Sequence, residues 1–340
     1  MNIDSEFLPI GKLNPDFLSE LIEKYTIKNE SIVVGPGIGV DAAVIDVGDF
    51  YLVAKTDPIT FVADDIGYYA ININANDIAC MGAIPKYFLG TLLLPERKTS
   101  KEMVRNIFRQ VSEACGGKGI SFCGGHTEVT FGIDRPILIG QMLGIADKDS
   151  LVNIKNGQPG DDILLTKGIA IEAVSIFARE KEDKLIKTFS DEFVEKCKKF
   201  IYDPGISVLE EARLSVQKGG VKGMHDPTEG GLAMGLHELA SATGCGLKIF
   251  GKEIPVFPEA KFLCDMYDID VMGVIASGAL LIICEKQKSH SIIEELKQHQ
   301  IKAKLIGKMM EPEFGTKLVS DENEIDLPKF HQDEITKLFK

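Results

Sequence analysis

The stretch 64–81 constrains the fold of this chain more than any other. Ile66, Tyr69, Ala70, Ile73, Cys80 and Met81 recur at the i, i+3, i+4, i+7 spacing of one helix face. Position 77 falls on that face and is aspartate, preceded by Asn76. A carboxylate buried without compensation is costly, so any fold that covers this helix must bring Asp77 a cation or several donors. The spacing leaves two readings open: a carboxylate capping a neighbouring loop, or a metal ligand.

Further acidic candidates sit where strands meet turns. Asp41 follows the glycine loop Gly35-Pro-Gly-Ile-Gly39, and Asp57 ends a predicted strand just before Pro58. Aspartate at a strand end is often only a turn former. Three acidic residues in one domain beside a glycine loop fit a hard cation taking oxygen ligands. The loop itself matches neither common phosphate motif: Val40 occupies the last glycine position of the dinucleotide fingerprint, and no G-K-[ST] follows. After a predicted strand at 120–123 comes Gly124-Gly-His-Thr127, where paired glycines let backbone N–H groups approach an anion. His126 there bonds a phosphate, binds metal or fills a turn. Asp226-Pro-Thr-Glu-Gly-Gly231 reads as a helix capping box. Thr228 and the double glycine equally suit a phosphate at a helix N-terminus. No nucleophile elbow or Cys–His pattern is present, so covalent catalysis has no support.

The charge balance narrows the ligand class. Lys and Arg total 38 against 51 Asp and Glu, a formal charge of −13, which argues against nucleic-acid or anionic-membrane binding. Phosphates remain possible ligands because carboxylates hold them through bridging Mg²⁺. Seven cysteines without a C-x-x-C pair support neither a disulfide framework nor a zinc ribbon. The longest uncharged run, 271–284, is too short and glycine-interrupted to span a bilayer, and the chain opens on a polar, acidic stretch. A cytoplasmic location is expected. A length of 340 residues suggests about two domains. The expected plan is an arm and helix over 1–30, a first domain over 31–150, a second over 155–310, and a partly solvated acidic tail over 311–340. Mixed strands and helices in the first half indicate α+β.

Five stretches, in this order, resemble the aminoimidazole ribonucleotide (AIR) synthetase superfamily. They are Gly37-Ile-Gly-Val-Asp-Ala-Ala43, Lys55-Thr-Asp57, Asn76-Asp-Ile-Ala-Cys-Met-Gly-Ala-Ile-Pro85, Gly124-Gly-His-Thr127 and His225-Asp-Pro-Thr-Glu-Gly-Gly231. The resemblance implies a two-domain PurM-like fold: an N-terminal domain that dimerises into a shared β-barrel, and a C-terminal α/β domain. ATP and Mg²⁺ would lie between them. Carried over by position, Asp41, Asp57, Asp77 and Asp226 match the metal ligands. Thr56, Asp57, Asp77, Gly124, Gly125, His126 and Thr228 match nucleotide contacts. Lys12, in Pro9-Ile-Gly-Lys12, is either a lid residue over the phosphates or an exposed lysine with no role. The implied chemistry is phosphorylation by ATP of an oxygen, usually of an amide-like group. The acceptor would be a small molecule or a group on a partner protein.

Pro9-Ile-Gly-Lys12 and the His225–Gly231 block look most like the hydrogenase-maturation (HypE-like) dehydratase branch. Three departures stand out. Val40 replaces the first Asp of the usual Gly-Asp-Asp. The sequence closes on Thr336-Lys-Leu-Phe-Lys340 with its last cysteine at 284, so cyanation of its own C-terminal cysteine is not expected. No cysteine precedes Cys80, which removes the reactive residue of many selenophosphate synthetases. The alternatives are a non-catalytic nucleotide-binding maturation factor, or a kinase like those for thiamine monophosphate or selenophosphate.

Overall fold

The computed structural model describes residues 8, 11–60, 62–320 and 323–339. After helix α1 (Pro15–Tyr25), six strands form the first sheet: β1 (Ile32–Val34), β2 (Ala43–Asp46), β3 (Tyr51–Ile59), β4 (Ile84–Pro95), β5 (Ser121–Thr130) and β6 (Ile137–Ala146). Their order is β1-β2-β3-β6-β4-β5, antiparallel throughout except for the parallel pair β4–β5. Helices α2 (Ile66–Cys80) and α3 (Lys101–Gly116) pack together, with α2 against the sheet.

The second sheet has seven strands: β7 (Asp162–Thr166), β8 (Val221–His225), β9 (Gly246–Phe250), β10 (Leu281–Cys284), β11 (Ala303–Met310), β12 (Thr316–Ser320) and β13 (Asn323–Asp326). They lie in the order β13-β12-β9-β11-β7-β10-β8. Its helices include α4 (Ile171–Glu180), α5 (Glu182–Thr188), α6 (Asp191–Lys198), α7 (Leu209–Lys218) and α8 (Gly231–Thr243). The central strands β7 and β10 are buried along their whole length, as the apolar runs Ile163–Leu165 and Leu281–Cys284 require.

Helix α2 departs from the one-faced pattern read in the sequence. Every residue from Ile66 to Cys80 except Tyr68 is buried, because the first sheet covers one side while α7 and β8 cover another. Its asparagines tolerate this by bonding backbone. The amide of Asn72 donates to Tyr68 O at 2.8 Å and that of Asn74 to Ala70 O at 2.9 Å. Asn76 donates to Ile206 O and accepts from Val208 N, both at 2.9 Å, so it ties the two halves together. Near the start of α4, Glu172 is also buried; its Oε2 has no partner among the described residues, and burial pushes its carboxyl up to about 8.

Two further expectations are corrected. The partly solvated acidic tail expected over 311–340 is, among the described residues, built into the fold: β12 adds in parallel to β9, and Leu327, Ile335 and Leu338 are buried, while β13 stays exposed. The acidic surface residues dominate the composition there and hide the apolar positions between them. Asp333 is buried in the same segment and accepts from Gly230 N (2.7 Å), Ile335 N (2.8 Å) and Ile275 N (3.3 Å). Gly124–His126 lie inside β5, not in a turn after it. Gly125 sits at φ +146°, and a Cβ there would fall 1.9 Å from Gly90 O, so the glycine permits the close β4–β5 approach. Within one chain the first sheet is open, with β1 and β5 as its edges, and no closed barrel forms. Among the described residues no helix is long and apolar enough to cross a membrane.

Candidate functional site

Alternation along β3 points Lys55 and Asp57 to the same side. Lys55 Nζ lies 3.6 Å from Asp57 Oδ2 and 3.3 Å from Asp77 Oδ1 on α2. Burial alone would lower the lysine, but Asp77 and Asp57, with Asp41 and Asp226 behind them, outweigh it and hold the ammonium above its usual range. Thr56 projects the other way; its hydroxyl donates to Gly140 O at 2.9 Å and is not brought to this group.

The glycine loop brings the third carboxylate in. Gly39 has φ +71°, and a Cβ there would lie 2.5 Å from Glu238 O on α8, so the loop seats directly on the second half. Asp41 is thereby buried with Oδ1 2.7 Å from His225 Nδ1, while His225 Nε2 is 3.0 Å from Glu238 Oε2. Burial opposes a charged imidazole, but Asp41 and Glu238 prevail and keep His225 well above its ordinary value. Against the upward effect of its own burial, Glu238 is held down at about 2 by His225 and Lys12.

Asp226 follows β8 and is buried beside Cys80, whose Sγ lies 3.6 Å from Asp226 Oδ1. Burial, then Asp41, pushes the Asp226 carboxyl up to about 7; burial raises Asp77 well above its usual range and raises Asp57. Asp77 Oδ2 and Asp226 Oδ2 have no hydrogen-bond partner among the described residues. Four carboxylates from both halves of the molecule therefore gather around Lys55 as the close ammonium, and two buried oxygens are left without donors. That donor set fits Mg²⁺, a hard cation that takes carboxylate oxygens.

The loop after β8 carries the polar rim. Helix α8 begins only at Gly231, with Gly230 at its N-cap and no side-chain cap, so the capping box expected at Asp226 does not form. Thr228 Oγ1 donates to Glu229 Oε2 at 2.9 Å and accepts from Lys12 Nζ at 3.3 Å. Lys12 also pairs with Glu229 (3.3 Å) and Glu238 (3.6 Å) while its side chain stays 50% exposed. Pro9 and Ile10 lie outside the described residues. Gly124, Gly125 and His126 stand apart on the edge strand β5; the His126 side chain is 64% exposed and pairs with Glu128 at 3.1 Å. Sequence reasoning missed Lys55, His225, Glu238 and Cys80. The Lys-x-Asp alternation on β3 signals Lys55, and the i+3 step from Asp77 places Cys80 on the same helix side.

Two domain families match this chain: the N-terminal domain of AIR synthase related proteins over residues 39–146, and the C-terminal domain over 158–317. A candidate hydrogenase expression/formation protein of Methanocaldococcus jannaschii is 31% identical over 303 residues, 85% of this chain and 87% of the relative. Carbamoyl dehydratase HypE of Escherichia coli is 26% identical over 259 residues, 75% of this chain and 73% of the enzyme. The crystal structure of hydrogenase maturation protein HypE in complex with ATP superposes with a TM-score of 0.71 at 20% identity, over 95% of this chain and 100% of that one. The fold is the two-domain PurM-like α/β fold, and the chain belongs to the AIR synthase related family of enzymes, within which it is HypE-like.

Proposed function

We propose that this chain is an ATP- and Mg²⁺-dependent enzyme that activates an oxygen of an amide-like group by phosphoryl transfer. The observation that carries this reading is the pair of buried, donor-less oxygens on Asp77 and Asp226, contributed by different halves of the molecule, with Asp41 and Asp57 near enough to act on Asp77 electrostatically. Asp41, Asp57, Asp77 and Asp226 hold the metal, which neutralises phosphate charge when bound. Thr228 and Lys12 contact the phosphates from the rim, and His225 fixes the rotamer of Asp41 from behind. No covalent step is assigned to the Cys80 thiol in the group, so rate enhancement comes from positioning and charge stabilisation. The dehydratase name of the E. coli relative and the ATP complex of the similar HypE structure support nucleotide use and a carboxamide-type acceptor, on a small molecule or a partner protein.

The exposed edge β5 belongs to the same reading. A homodimer formed through the first sheet covers Phe122, Val129 and Phe131, which are exposed in one chain, and pairs an otherwise open edge. Gly124, Gly125 and His126 then sit at the subunit boundary. Light scattering at micromolar concentration with nucleotide present should give twice the chain mass; a monomer refutes this part. For the enzyme itself, the test is Mg²⁺-dependent ATP binding by calorimetry together with ADP release. A second reading, a nucleotide-binding factor without turnover, draws on Val40, which leaves the glycine loop one carboxylate short of the family pattern. Tight MgATP binding without ADP release across carboxamide-bearing acceptors selects it.

A further inference from the structure

The Cys80 thiol stands inside the carboxylate group, yet phosphoryl transfer gives it no task. One donor atom from each of Asp41, Cys80 and Asp226 lies within 4.8 Å of the others, and all three side chains are buried. Asp226 is 2% exposed, and its Oδ2 has no partner among the described residues. Mg²⁺ takes oxygen ligands and leaves a sulfur idle. A zinc-like ion does not: metal–sulfur and metal–oxygen bonds of about 2.3 and 2.0 Å at a tetrahedral angle separate the two ligand atoms by about 3.5 Å. The observed distance from Cys80 Sγ to Asp226 Oδ1, 3.6 Å, is already that edge.

We propose that Asp41, Cys80 and Asp226 form a site for a thiophilic divalent ion of the zinc or cadmium class, filled when no nucleotide is bound. On binding, the thiol proton leaves to solvent and the S–H contact to Asp226 is replaced by a metal–sulfur bond. Such an ion competes with Mg²⁺ for Asp41 and Asp226, and in that sharing the inference rests on the reading above. A buried thiol that merely donates to Asp226 gives no such metal preference.

The test uses the full-length, nucleotide-free chain titrated with Cd²⁺ while the ultraviolet cadmium–thiolate band is followed. Wild type and Cys123→Ser are compared with Cys80→Ala and Cys80→Ser made in the Cys123→Ser background, since Cys123 is an exposed thiol that would add its own band. A band that saturates at one ion per chain is expected in Cys123→Ser. It should vanish in both Cys80 variants, with Cd²⁺ affinity falling at least about tenfold. Asp226→Asn, which keeps the thiol, should also weaken Cd²⁺ binding. A band and affinity that persist without the Cys80 thiol, or that disappear with Cys123→Ser alone, overturn the proposal. MgATP affinity measured in parallel separates the two readings. Normal MgATP binding without a Cys80-dependent band refutes only this site. The band without MgATP binding refutes only the nucleotide reading.

Discussion

Replacing Asp77 by asparagine keeps the size of the side chain and removes one charge from the site. The Asp77 side chain is 8% exposed and faces Lys55 Nζ at 3.3 Å, so two opposed effects follow in the metal-free protein. Lys55 loses its nearer partner but keeps Asp57 at 3.6 Å. At the same time a carboxyl that burial already disfavours is gone. Breaking a buried pair costs about 3–5 kcal/mol at the extreme, and the relieved desolvation offsets part of it, so a net change within about 2 kcal/mol is expected. Metal binding has no such offset. Two unit charges about 4 Å apart interact by about 4 kcal/mol at an effective dielectric of 20, and a divalent ion doubles that. Dehydration of ion and carboxylate consumes most of the gain, and a surviving fraction of at least ~1.4 kcal/mol corresponds to tenfold in affinity. Calorimetry should therefore show Asp77→Asn folded, with ATP affinity little changed without Mg²⁺ and at least about tenfold weaker with it. Wild-type MgATP affinity in the folded variant would falsify the metal assignment.

Three other perturbations probe different parts of the molecule. Lys12→Ala should weaken ATP binding about fivefold and shift stability by less than about 1 kcal/mol, since Lys12 is half exposed; an unchanged ATP affinity and turnover discards the lid. Gly39→Ala meets Glu238 O at 2.5 Å in a backbone of positive φ, so it should lower the melting temperature and MgATP affinity together; a normal melting curve argues against the loop contact. Glu172→Gln tests a raised pKa. The folded value, about 8, exceeds the ordinary 4.5, so the acid form stabilises the fold fully below pH 4.5 and that contribution is lost as pH rises through 8. The variant should therefore gain on wild type with rising pH, by roughly 4 kcal/mol at most near pH 8. Melting curves at pH 5 and pH 8 that differ by the same amount for both proteins would contradict this.

The sequence was most informative where several weak signals fell in one order. Asp41, Asp57, Asp77 and Asp226 are each ambiguous by residue type, and the structure brings all four to one place. What escaped notice depends on contacts between distant segments. His225 shows no metal-ligand spacing, and its partners Asp41 and Glu238 are 184 and 13 residues away. Helix α2 is buried almost all round although it carries Asn72, Asn74 and Asn76; each hides its amide against backbone, two of them on their own helix. Glycine pairs are ambiguous in the same way, since Gly124 and Gly125 serve strand packing in β5 as well as they would serve a turn. The capping box failed because the glycines at 230 and 231, both at positive φ, delay the helix until after the motif.

Asp333 shows how far the site extends along the chain. The matched C-terminal domain family stops at residue 317, and a chain trimmed there would keep every carboxylate of the metal group. It would also lose the anchor that grips Gly230 N and Ile275 N, whose next residues, Gly231 and Ala276, donate their N–H groups to Thr228 O. Cutting at that boundary thus damages the candidate site by removing a residue that lies 103 positions from Gly230 in sequence. The same grip makes this segment a natural handle: whatever pulls on residues 327–339, a protease or a bound partner, pulls on the loop that carries Thr228.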